Sequence, residues 1–131
     1  KLRKEFRKKY VMEAMAVLNK EALKKEHEEN KVVIIEGMYS WEEYIYLQKN
    51  FPEVNIYLVA LFTDKALRYK RLSKRKYRAE LAVGKDRDLH ELSDLNKGPT
   101  IAFADFLIKN NFSQEELFSK LDEVYRQIYF A

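Results

Sequence analysis

Lys31-Val32-Val33-Ile34-Ile35-Glu36 is a short β-branched run whose apolar residues do not alternate with polar ones. That pattern suits a strand covered on both faces in a parallel sheet. Gly37 interrupts it, and Ser40-Trp41-Glu42-Glu43 has the spacing of a capping box, opening a helix that Phe51-Pro52 ends. Val54 to Phe62 forms a second apolar run, after which Thr63-Asp64 predicts a cap for a helix reaching about Arg78. Upstream, residues 1 to about 27 carry helix formers and neither Gly nor Pro, with Val11, Ala14, Met15, Leu18 and Ala22 as an amphipathic stripe. Downstream, a polar helix is expected from roughly Asp86 to Asn96, and Lys97-Gly98-Pro99 reads as a turn with Pro99 opening a brief helix. Phe106-Leu107-Ile108 reads as a third strand. Ser113-Gln114-Glu115-Glu116 starts a closing helix with Leu117, Leu121, Val124 and Ile128 on one face. Strands alternating with helices predict one α/β domain over residues 1–131, a three-layer parallel sheet with right-handed crossovers. There is no internal repeat, low-complexity segment or linker.

Composition narrows the chemistry. The chain has 131 residues, 47% apolar and 35% charged, and no cysteine, which excludes disulfides, zinc–thiolate sites and cysteine nucleophiles. No apolar run is long enough for a membrane span and no signal peptide is expected, and the lack of cysteine fits a cytoplasmic protein. The net charge is +4, and its distribution says more than its size. Eight basic residues and no acidic one lie between Lys65 and Arg78, which points to an anionic partner, a phosphorylated small molecule or nucleic acid.

Four groups of residues can carry chemistry. Glu36 and Gly37, at the end of an apolar strand, put a carboxylate at the C-terminal edge of the sheet, where open α/β folds bind ligands. Arg68, Arg71, Arg75 and Arg78, spaced 3, 4 and 3, fall within a helical wedge of about 80°. Guanidinium forks meet two phosphate oxygens at once and never lose their charge, so such a stripe suits a polyphosphate or a nucleic-acid backbone. The plain alternative is a solvated face. Arg87 faces either the same ligand or Glu91 in an ordinary i,i+4 pair. Asn110 and Asn111 close the third strand, as turn residues or as neighbours of a nucleobase. His27 and His90 read as exposed, and Tyr125 and Tyr129 as core or interface.

In this order the pieces resemble one arrangement. Residues 32–43, 68–78, 85–92 and 97–111, above all Ala104-Asp105-Phe106-Leu107-Ile108-Lys109-Asn110-Asn111 and the capping box after it, are similar to the dephospho-CoA kinase-like branch of the P-loop nucleotide kinases. The resemblance implies a P-loop NTPase fold and in-line transfer of the ATP γ-phosphoryl group to a small-molecule hydroxyl or phosphate. It implies that Glu36 lies near magnesium and the acceptor, and that Arg71, Arg75 and Arg78 belong to a lid over about 68–92. Arg68 and Arg87 would attend the nucleotide, Asn110 and Asn111 the adenine, and Gly37 with Tyr39 the acceptor.

The chain departs from that family in one large respect. It contains no Gly-x-x-x-x-Gly-Lys-Ser/Thr, and its three glycines are Gly37, Gly84 and Gly98. In the family, the strand carrying that loop lies between those corresponding to 32–36 and 54–62. The expectation is a further segment of roughly 40–60 residues upstream of Lys1, the length of one βαβ-sized unit, or a second copy of the chain filling the gap as a homodimer. Two other readings stand beside the kinase: a nucleic-acid-binding module using the arginine stripe, and a degenerate P-loop domain kept for assembly.

Overall fold

The computed structural model describes residues 5, 12–30, 32–74 and 81–130. Its elements are helix α1 (Ala14–Glu29), helix α2 (Trp41–Asn50), strand β1 (Val59–Phe62), helix α3 (Lys65–Ser73), helix α4 (Leu81–Ser93), helix α5 (Lys97–Ala102), strand β2 (Phe106–Lys109) and helix α6 (Gln114–Tyr129). Strands and helices alternate around a parallel pair, so the chain is α/β. No helix among the described residues is long and apolar enough to cross a membrane. The chain divides into two compact units: Lys1–Ile56 with His90–Thr100, and Tyr57–Leu89 with Ile101–Ala131.

In the first unit α1 packs against α2. The capping box at Ser40 forms in full: the Ser40 hydroxyl accepts from the Glu43 N–H at 3.1 Å, and Glu43 Oε2 accepts from the Ser40 N–H at 3.2 Å. Ser40 also donates to the Met12 carbonyl at 3.2 Å, tying α2's start to the residues before α1. The box is a core feature here, since Ser40 and Glu43 are buried together with Ala14, Ala16, Tyr44 and Leu47. The expected stripe on α1 packs only near its start, for Leu18 and Ala22 are exposed. Val11, the first residue of that stripe, lies outside the described residues.

Residues 32–36 are not a strand. A strand exists through ladder hydrogen bonds, and no described segment pairs with this one; Val32, Ile34 and Ile35 are exposed, Ile34 at 84%. The second expected strand is shorter than predicted, Val59–Phe62 rather than 54–62.

In the second unit β1 and β2 run parallel, with Val59 opposite Phe106 and Phe62 opposite Lys109. Asp105 fixes where the pair starts, because its carboxylate accepts from the Leu58 N–H at 2.8 Å. Leu58 and Ile108 are the buried apolar residues of the pair, and α6 packs on β2. The Ser113 hydroxyl accepts from the Glu116 N–H at 3.2 Å to start α6, and Leu117, Leu121, Val124 and Ile128 are its half-buried face, as its spacing predicts. Helix α4 begins at Leu81 rather than Asp86, and Pro99 is the third residue of α5 rather than the first. Both positions lie in a first turn, where a missing N–H leaves no helical bond unmade.

Candidate functional site at the carboxyl ends of the parallel strands

A parallel pair brings the residues that follow each strand to one edge. Here they are Thr63 and Asp64 after β1, and Asn110 and Asn111 after β2. Backbone pairing continues one step past the strands, with the Asn110 N–H donating to the Phe62 carbonyl at 2.6 Å. The Asn110 carbonyl then accepts twice, from the Thr63 hydroxyl at 3.1 Å and from Arg71 Nη1 at 2.6 Å. Arg71 Nη2 donates to the Phe112 carbonyl at 3.0 Å, so one guanidinium clamps the turn that leaves β2.

Asp64 sits at the cap position of α3, yet its side chain makes no cap hydrogen bond. Its carboxylate accepts from the Asn111 amide at 2.7 Å and pairs with Lys109 at 3.3 Å, while its own N–H donates to Asn111 Oδ1 at 3.0 Å. The Asn111 hydrogen bond holds the Asp64 carboxyl below the usual 3.8; partial desolvation opposes this and Lys109 adds to it. The expected cap is thus a clasp between the two strand ends.

The arginine stripe is less free than its sequence suggests. Arg68 pairs through Nη2 with Asp88 of α4 and donates from Nη1 to the Thr63 carbonyl at 3.2 Å. Tyr69 donates its hydroxyl to the same Asp88 oxygen at 2.9 Å. Burial, then Asp88, pushes the Tyr69 phenol above its usual 10.0. Gly84 lets α4 come close to α3 here: a Cβ on it would lie 3.2 Å from Leu72 Cδ1 and 3.5 Å from the Tyr69 ring. The carboxylate absent from the stripe's own segment therefore arrives from 20 residues downstream. Arg87 is exposed on α4, and Arg75 and Arg78 lie outside the described residues.

The remaining expected residues lie in the first unit. Glu36 is exposed, and Gly37 adopts a positive φ of 78°, a backbone that favours glycine. Tyr39 is held firmly: its N–H donates to Glu43 Oε2 at 3.0 Å, and its carbonyl accepts from the Thr100 hydroxyl at 3.2 Å. The Lys97 ammonium lies 4.8 Å from the centre of the Tyr39 ring and pairs with Glu91 at 2.7 Å. Glu91 thus has a lysine partner that the i,i+4 reading overlooked. His90 is half-buried rather than exposed and contacts Asp94 at 2.6 Å.

Thr63, Asp64, Tyr69, Asp88 and Lys97 had no functional signal of their own in the sequence. Asp64 and Asp88 become visible as candidates only when strand ends and helix faces are brought together.

Curated relatives place the chain. One UPF0200 protein, from Sulfurisphaera tokodaii, is 31% identical over 129 residues, which cover 95% of this chain and 68% of that protein. The chain belongs to the UPF0200 family. A UPF0200 protein of Methanocaldococcus jannaschii is 34% identical over 131 residues, 98% of this chain, and one of Thermococcus onnurineus is 32% identical over 118 residues, 88% of it. The chain spans 62% and 63% of the length of those two UPF0200 proteins. No protein-family model matches the chain.

Proposed function

We propose that this stretch of the UPF0200 chain is the C-terminal part of a dephospho-CoA kinase-like P-loop domain, a cytoplasmic phosphotransferase moving the ATP γ-phosphoryl group to a small-molecule acceptor. The observation that carries the reading is the clasp at the carboxyl ends of two parallel strands, where Asp64, Arg71, Asn110 and Asn111 meet. That edge is where open α/β folds take nucleotides, and cationic and amide groups gathered there suit a phosphorylated ligand. The free edge of β1 supports it too. Among the described residues β2 is its one partner, and Val59, Leu61 and Phe62 remain exposed, as a sheet awaiting its central strand would leave them.

In this reading catalysis belongs to a polypeptide that also carries a phosphate-binding loop, and the 131-residue stretch by itself is inactive. Magnesium keeps several waters and takes one or two carboxylates beside phosphate oxygens. Exposed Glu36 fits that ancillary place, acting through a water ligand, and the described residues gather no group of three acids or histidines to hold an ion. The role of Glu36 is to orient solvent around the phosphates. Arg75 and Arg78 would neutralise charge on the transferred group.

Equilibrium binding of ATP with and without magnesium tests the reading in a polypeptide that includes the loop. Saturable, magnesium-dependent binding with phosphoryl transfer to dephospho-CoA or a nucleoside monophosphate supports it. Binding of nucleic acid that weakens steeply with salt, with no ATP binding, replaces it by the nucleic-acid module.

A further inference from the structure

The basic segment from Lys65 to Arg78 contains no acid of its own, and an acid reaches it from α4. Arg68 and Tyr69, consecutive on α3, both donate to one atom, Asp88 Oδ2: Arg68 from Nη2, and Tyr69 from its hydroxyl at 2.9 Å. A guanidinium N–H and a phenol O–H that converge on a single oxygen make the donor set of an oxyanion site. Arg68 is aimed by a further contact, from Nη1 to the Thr63 carbonyl at 3.2 Å, and its guanidinium lies 5.5 Å from the centre of the Tyr69 ring. The Lys65 ammonium lies 5.7 Å from the same ring centre. Burial, and then Asp88, hold the Tyr69 phenol above its usual 10.0, so it remains a proton donor throughout the neutral range.

The donors and the carboxylate belong to different parts of the fold. Thr63 follows β1, so its carbonyl ties the Arg68 guanidinium to the carboxyl edge of the strand pair. Asp88 comes from the next helix and meets both donors with the same oxygen. The Arg68 and Asp88 side chains are 35% and 25% exposed, so the pair is open to solvent. Ion pairs that water reaches hold weakly. A phosphate chain offers several charged oxygens, and guanidinium forks bind phosphate more strongly than a one-oxygen contact allows.

We propose that Arg68, Tyr69 and Lys65 form a site for the phosphate chain of a nucleoside triphosphate, that Asp88 fills this site as an internal mimic of phosphate, and that the phosphate chain displaces it and loosens α4 from α3. The proposal rests on the phosphoryl-transfer reading for the identity of its ligand, and adds to it an acid that holds the site closed.

Calorimetric titration of the 131-residue chain with sodium tripolyphosphate, at fixed ionic strength, tests the site without any chemical step. Asp88→Asn should tighten binding about fivefold. Asp86→Asn makes the same change of charge at an exposed position of α4 and should leave the affinity within about twofold. Added to Asp88→Asn, either Arg68→Gln or Tyr69→Phe should abolish the gain. Hydrogen exchange of the parent chain covers the case in which Asp88→Asn does not fold: saturating tripolyphosphate should speed exchange of the α4 amides, and sodium chloride of equal ionic strength should not. Equal tightening in Asp88→Asn and Asp86→Asn, no tripolyphosphate binding by Asp88→Asn, or unchanged or slower α4 exchange overturns the proposal. So does tightening in Asp88→Asn for a single-stranded oligonucleotide but not for tripolyphosphate. If Asp88→Asn gains affinity while a polypeptide that includes the loop transfers no phosphoryl group, the site stands and the kinase reading falls. Transfer without any effect of Asp88 has the reverse meaning.

Discussion

Arg71, on the helix that follows the first strand, donates to the carbonyl of Asn110, the residue that follows the second, at 2.6 Å. The same guanidinium reaches the Phe112 carbonyl, so it organises the loop at the proposed nucleotide edge without contacting any acid in the clasp. Arg71→Ala should lower stability by about 1.5–3 kcal/mol, the range for hydrogen bonds to a charged group. Arg71→Lys should recover only part of it, since an ammonium cannot span two carbonyls as a planar fork does. Urea unfolding of the three proteins measures this, and equal midpoints would remove the clamp.

Tyr69 titrates above its ordinary 10.0 because burial, and then Asp88, disfavour the phenolate. A raised folded value means that Tyr69 supports the fold fully below pH 10.0 and withdraws that support as pH rises through the folded value. Tyr69→Phe should therefore lose stability less steeply than the parent between neutral pH and the alkaline limit. Thermal melts across that range check it; parallel curves would contradict it.

Asp64 behaves in the opposite sense. Its carboxyl is held below 3.8, chiefly by the Asn111 amide, so its contribution is present above that value and is lost as pH falls through the folded one. Asp64→Asn should flatten the acid limb of the stability curve without altering the alkaline limb. Asn111→Ala should have a similar effect by removing the main donor.

Gly37 holds a φ of 78° beside Glu36 and ahead of the firmly tied Tyr39. The left-handed region costs a residue with a Cβ about 1–2 kcal/mol, so Gly37→Ala should shift unfolding by about that amount. Gly37→Asn should cost less, because asparagine tolerates this region. In the phosphoryl-transfer reading, the alanine variant also moves Glu36 and should depress turnover beyond what its stability loss explains.

What the sequence conveys here is local. The Ser40–Glu43 box and the half-buried face of α6 follow from residues a few positions apart, the parallel sense of the strands follows from helices intervening between them, and the structure bears these out. Residues 32–36 have strand composition, but a strand is a relation between segments, and no described segment supplies the other half. Asp64 carries a cap signature because the reading looked three residues ahead; Asn111, 47 residues away, takes its carboxylate. Asp88 neutralises Arg68 for the same reason: the charge count of the basic segment ended at Arg78 and missed a partner on the next helix.

The pairing of β1 with β2 also sets an order of events in folding. Leu58 and Asp105, at the start of the pair, are 47 residues apart. Closing a loop of that length costs about 3 kcal/mol of chain entropy before any ladder bond forms. Helices α3 and α4 lie within that loop and gain their turns from neighbours, on a timescale far shorter than strand association. The clasp of Asp64 with Asn111 and of Arg71 with Asn110 therefore forms late, at the step that joins distant parts of the chain. Substitutions there should slow folding only as far as the joined strand ends are already present in the transition state, and should otherwise speed unfolding.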